Sequence, residues 1–142
     1  MKRVSVLAVL VLSLLACGGG NALVGEWEQV HPDTGVALGP VLTLSDDNSW
    51  SQNGTPSYEG TYKWESGSLS LHVEKLNGVS REESIAGAIA AGQPREDAEK
   101  GLDELDGHMK YELTSEDGAA LLKQLDPPGT SNQKVFKKRS VD

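Results

Sequence analysis

From Tyr58 to Glu74 the side chains alternate with a period of two, and that pattern leaves few folds open. Over Tyr58 to Glu65, Gly60, Tyr62 and Trp64 share one face, and Thr61, Lys63 and Glu65 share the other. After Ser66-Gly67, the residues Leu69, Leu71 and Val73 alternate with Ser70, His72 and Glu74. A helix would bring side chains onto one face every three to four residues, so this stretch reads as two strands. Ser66-Gly67 has the chemistry of a two-residue hairpin turn. An apolar face backed by a polar one means antiparallel sheet with one side on a core and the other in water.

The same reading extends along the chain. Val24 to Val30 places Gly25 and Trp27 opposite Glu26 and Glu28, and His31-Pro32-Asp33-Thr34-Gly35 ends it with turn residues. Val41 to Ser45 points Leu42 and Leu44 inward; Asp46-Asp47-Asn48 turns; Ser49 to Gln52 returns with Trp50 inward; Asn53-Gly54-Thr55-Pro56 turns again. Further on, Met109, Tyr111 and Leu113 alternate with Lys110, Glu112 and Thr114 before the turn Glu116-Asp117-Gly118. Ala120 to Leu125 is a strand stopped by Asp126-Pro127-Pro128-Gly129, since proline cannot donate to a ladder. Gln133 to Arg139 is the last strand; Val135 and Phe136 lie on opposite faces there, and the pattern does not say which is core.

Eight short strands joined mostly by tight turns predict a mainly β fold, an antiparallel eight-stranded up-and-down barrel, because closure removes exposed edges. A barrel of this size is wide enough for its own side chains or for one small ligand. Trp27, Trp50, Tyr62, Trp64 and Tyr111 are therefore either packed core or the lining of a ligand site.

Residues 80–107 break the two-residue period. Ser80-Arg81-Glu82-Glu83 fits a capping box, Ile85 and Ile89 share a helical face, and Gly92 is a C-terminal stop. Pro94 suits the first position of a second helix, along which Ala98, Leu102 and Leu105 recur before Gly107. This predicts a helical hairpin, placed either as a lid over the barrel mouth or against the barrel wall.

The N-terminus has a different grammar. Met1-Lys2-Arg3 is basic, Val4 to Leu15 is apolar apart from two serines, and Ala16 precedes Cys17, which is the chain's single cysteine. The apolar run is shorter than the roughly 20 residues that cross a bilayer, so it reads as an export signal. Leu14-Leu15-Ala16-Cys17 resembles the lipobox of bacterial lipoproteins. The resemblance implies cleavage before Cys17 and acylation of its thiol, which palmitate labelling would report. It also implies anchorage in the bacterial cell envelope, with Gly18 favouring the outer membrane where the host has one. The expected organisation is a signal peptide at 1–16, a lipidated cysteine and short tether at 17–22, and a barrel domain at 23–140.

Gly25-Glu26-Trp27 at the head of the first strand, together with Gly60-Thr61-Tyr62-Lys63-Trp64, resembles small bacterial lipocalin-like (calycin-type) lipoproteins. In those families the tryptophan closes one end of the barrel and a basic residue of the last strand packs on its ring. Arg139 is the expected partner of Trp27 by that resemblance.

The formal net charge is −8, and loss of Lys2 and Arg3 with the signal makes the remainder two units more acidic. So acidic a chain is unsuited to binding nucleic acid. His31, His72 and His108 lie in different elements without metal-ligand spacing, and no nucleophile elbow, phosphate loop or dinucleotide fingerprint occurs. No enzyme activity, metal or cofactor is expected. The expectation is a membrane-anchored barrel that binds a small apolar or amphipathic ligand or, with a filled interior, an envelope protein as an inhibitor or assembly factor would.

Overall fold

The computed structural model describes residues 22–125 and 133–140. The signal segment, Cys17, most of the tether and the Asp126 to Gly129 stop lie outside the described residues. The elements run β1 (Gly25–Val30), β2 (Ala37–Leu44), β3 (Ser49–Gln52), β4 (Tyr58–Glu65), β5 (Ser68–Leu76), β6 (Val79–Ser80), α1 (Arg81–Ala90), α2 (Arg95–His108), β7 (Lys110–Glu116), β8 (Ala119–Gln124) and β9 (Val135–Lys138).

Each long strand pairs antiparallel with the next, from β1 through β5, then β7, β8 and β9, and β9 returns to β1. The result is the closed eight-stranded up-and-down barrel expected from the alternation, with the two helices between strands. The two-residue β6 folds back on the end of β5 and was not foreseen. Its turn, Asn77-Gly78, has both residues at positive φ (51° and 78°), as do Ser66-Gly67 and Asp117-Gly118, which is the two-residue geometry that matches strand twist.

Trp27, Leu42, Leu44, Trp50, Tyr62, Leu69, Tyr111, Leu122 and Phe136 all face inward and are buried in one continuous cluster. Phe136 is opposite Gln29 of β1 and Leu122 of β8, so it is the inward residue of β9. Val135 is buried too, but on the outer wall, with Val30 and Leu121. Leu23, which precedes β1, has no exposed surface and joins the interior cluster as a plug at the Trp27 end.

The helical hairpin lies along the wall, at the free edge of β5. β7 pairs with β5 only at Ser68–Ser70, and the ladder ends where Leu71 N–H donates to the Met109 carbonyl. Beyond that point side chains replace the missing strand. Val73 N–H donates to Asp106 Oδ1 at 2.9 Å, and the Val73 carbonyl accepts from Arg81 Nη1 at 2.9 Å. The Ser80 capping box forms as expected, with Ser80 Oγ accepting from Glu83 N–H and the Glu83 carboxylate accepting from Ser80 N–H. That contact holds the Glu83 carboxyl below its usual range, through the backbone bond first and the hydroxyl second.

Three helical expectations, at Pro94, Gly107 and Ile89, need correction. Pro94 is the N-cap of α2, not its first residue, and α2 runs one residue past Gly107. Ile85 is buried, but Ile89 is 40% exposed. Leu105 packs on the barrel cluster.

Candidate functional site

The aromatic residues read from the sequence as either packed core or ligand lining belong to the barrel's interior cluster, with Trp64 partly buried against it. Trp27 is fully buried, and its Nε1 donates to the Leu23 carbonyl at 2.8 Å. Trp50 Nε1 donates to the His72 carbonyl at 3.0 Å, and Tyr62 Oη donates to the Ser45 carbonyl at 2.6 Å. Trp64 is half-buried against the same cluster. Tyr111 packs edge-on to Phe136 with ring centroids 5.7 Å apart. Among the described residues its hydroxyl has no hydrogen-bond partner, and neither does the buried Gln52 Oε1. Burial pushes the Tyr111 hydroxyl up strongly, with neighbouring Tyr58 adding to the shift. A groove of about 290 Å³ reaches Gln52 and Tyr58 from the end of the barrel where β3 turns into β4.

The basic residue over Trp27 is Lys138, not Arg139. Its Nζ lies 5.5 Å from the ring centroid and donates to the Ala22 carbonyl. Lys138 is paired with Trp27 across the β1–β9 ladder, on the inward side with Phe136; alternation sends Arg139 outward. There its guanidinium meets Glu26 at 3.1 Å and Glu28 at 3.3 Å.

Two larger depressions lie on the outer wall. One, about 590 Å³, sits between the His31–Gly35 loop and β8 and has Val30, Leu121 and Val135 in its floor. The other, about 520 Å³, runs along β4, β5 and β7 beside α2. Its chemistry comes from three outward strand positions in register. Lys63 of β4 is opposite Ser70 of β5, and Ser70 is opposite Lys110 of β7. Neighbouring strands lie about 4.8 Å apart, so the two lysines bracket one hydroxyl. Two residues along, Thr61 is opposite His72.

The acidic side of this groove is already engaged. His72 Nδ1 bonds Asp106 Oδ2 at 2.8 Å, which fixes the ring at the edge of the groove. Arg81 Nη1 reaches the same carboxylate oxygen at 3.3 Å, and Arg81 Nη2 reaches Asp103 at 2.7 Å. Among the described residues neither Lys63 nor Lys110 has an ion-pair partner. Sequence reading noted that His72 shares a face with Glu74, but it had no means of joining His72 to Asp106, 34 residues away.

Among the described residues no group of His, Cys, Asp and Glu could hold a metal ion, and no helix is long and apolar enough to cross a membrane. No protein-family model matches the chain. No curated protein sequence matches it either. Among solved structures the chain is similar to an uncharacterized protein from Bacteroides eggerthii, at 15% identity over 82% of this chain and 99% of that one, with a TM-score of 0.42. At that distance neither family nor function is read across.

Proposed function

We propose that the protein is a lipid-anchored envelope lipoprotein of lipocalin-like build whose barrel is a solid scaffold, and that it acts as a binding module through its outer wall. The observation that carries this is the occupied interior. Fourteen buried side chains form one continuous cluster inside the ring, and the indole and phenol groups of Trp27, Trp50 and Tyr62 are bonded to the protein's own backbone. A partner in the envelope, met at the grooves, is then the natural ligand class. The anchor reading rests on the lipobox-like Leu14 to Cys17. It is supported by Ala22 and Leu23, which tie the chain to the Trp27 end of the barrel. Five residues after Cys17 span at most about 17 Å, so that end faces the bilayer.

A second reading, an apolar or amphipathic ligand inside the barrel, draws on the unpartnered Gln52 Oε1 and Tyr111 hydroxyl near the Gln52–Tyr58 groove. Titration with a fatty acid and with a hydrophobic fluorescent probe separates the two. The solid-scaffold reading expects no saturable change in tryptophan emission, and a saturable change overturns it. Metabolic palmitate labelling, abolished by Cys17→Ser, tests the anchor; labelling that persists in the variant removes it.

A further inference from the structure

We infer that the outer groove along β4, β5 and β7 is an anion site that takes a phosphate-type oxyanion, with Lys63, Ser70 and Lys110 as its cradle and His72 at its edge. The inference rests on the outer-wall reading above and names the chemistry of that wall.

The first argument is charge. The protein is strongly acidic, and an unpaired lysine on such a surface ordinarily has carboxylates to turn to. Lys75, Arg95, Lys100 and Lys123 each do so. Among the described residues Lys63 and Lys110 do not, and neither do Lys134 and Lys137; Lys63 and Lys110 are the pair that lines one groove together, beside Asp103 and Asp106. Asp106 is engaged by Arg81, His72 and the Val73 N–H, and Asp103 by Arg81, so both carboxylates already have partners other than the lysines. Arg81, Lys63 and Lys110 stand against Asp103 and Asp106, and Glu65 and Glu112 flank Ser68 in the next outward row, so the attraction for an anion comes from the two ammonium groups at short range and not from a positive net field.

The second argument is geometry. Cross-strand register places the two ammonium-bearing side chains on either side of Ser70. Two cations flanking a hydroxyl offer more donors than a single carboxylate can use, and they suit the several oxygens and two charges of a phosphate monoester. Thr61 contributes a second hydroxyl on the His72 side. All of these positions except Asp103 and Asp106 sit on rigid strands, so the arrangement does not have to be ordered on binding.

The same chemistry could come from a free phosphate ester or from a lipid headgroup. The experiment uses the full mature chain and follows backbone amide shifts of 61–72 and 110 by heteronuclear NMR. It titrates phenyl phosphate, then vesicles of neutral lipid with and without an anionic phospholipid, with acetate as the monoanion control. The expected result is saturable shifts with phenyl phosphate, weak ones with acetate, and at least a tenfold loss of affinity in Lys63→Gln/Lys110→Gln. Response to anionic vesicles but not to phenyl phosphate assigns the site to a headgroup; response to phenyl phosphate alone assigns it to a soluble ester. Absence of saturable shifts with both, or binding unchanged in the double variant, overturns the site. A tryptophan emission change with a hydrophobic probe would instead undo the solid-barrel reading and leave phosphate binding untouched, so the two failures are distinguishable.

Discussion

Trp50 reaches across β4 to bond β5: its Nε1 donates to the carbonyl of His72 at 3.0 Å, over the bare backbone of Gly60. A Cβ at Gly60 would lie 1.8 Å from that carbonyl oxygen and 2.9 Å from the indole nitrogen. Both obstacles are held by the barrel, one as sheet backbone and one as a buried ring. Gly60→Ala is therefore expected to destabilise the protein by about 3 kcal/mol or more, the range of severe overpacking. Urea unfolding of the variant measures it, and a loss below about 1 kcal/mol would show that β5 can move aside.

Lys138 and Arg139 are adjacent, basic and differently employed. Lys138 covers the Trp27 ring and ties down Ala22, whereas Arg139 makes two exposed ion pairs. A cation over tryptophan contributes about 0.5–1 kcal/mol, and exposed pairs contribute near zero to about 1. Lys138→Met should lower stability and shift the emission of Trp27. Arg139→Ala should leave emission unchanged and stability within about 0.5 kcal/mol. The reverse ranking would place the floor contact on the other residue.

Asp106 stands in for a strand. Its carboxylate takes the Val73 N–H and receives both His72 and Arg81. Asp106→Ala leaves a part-buried amide without its acceptor, a change that costs about 1–3 kcal/mol. Hydrogen exchange should report it locally, as lost protection at Val73 with β1 to β3 unaffected. Uniform loss across the barrel would mean that the helical hairpin and the barrel unfold as one unit.

The three tyrosines Tyr58, Tyr62 and Tyr111 share a pH signature. Burial raises each above its ordinary value of 10.0, and Asp47 and Asp46 add to the shift at Tyr62. Above pH 10 the unfolded chain loses phenolic protons that the folded chain keeps, so the folded state binds more protons and stability falls as pH rises. Below pH 10 both states are protonated and this contribution is intact. Urea midpoints should stay level to about pH 9 with respect to these groups and decline beyond 10, most steeply through Tyr111, for which the slope is at most about 1.4 kcal/mol per pH unit. Tyr111→Phe should make that decline shallower. It should cost little at neutral pH, because the hydroxyl it removes has no partner. An unchanged alkaline slope in the variant would contradict the burial account.

Much of the barrel was legible because alternation is a local property. The limits of β3 and β4 follow from it to the residue, and β5 runs only two residues past its expected end. Where the pattern lapses, strand limits are not legible. β2 begins at Ala37, ahead of the expected Val41, through an exposed Ala37-Leu38-Gly39 and a half-buried Pro40 that do not alternate by burial. Asn77-Gly78 is a strong hairpin signal, yet the returning β6 is too short to show a period. The outer groove was illegible for another reason. Lys63, Ser70 and Lys110 become neighbours only through the registers of β4–β5 and β5–β7, and Asp106 comes from a helix.

By itself the sequence determined which residues share a face in the alternating strands, though not which face of β9 is core, together with the meander order, the cap at Ser80 and the absence of familiar catalytic motifs. Each of these depends on near neighbours in the chain. The tertiary structure alone decided that the interior is occupied, that Lys138 covers Trp27, and that α2 completes the wall where β7 leaves β5. A period of two assigns a side chain to a face. It does not say how much volume the opposing strands leave there, or which distant residue arrives to fill it.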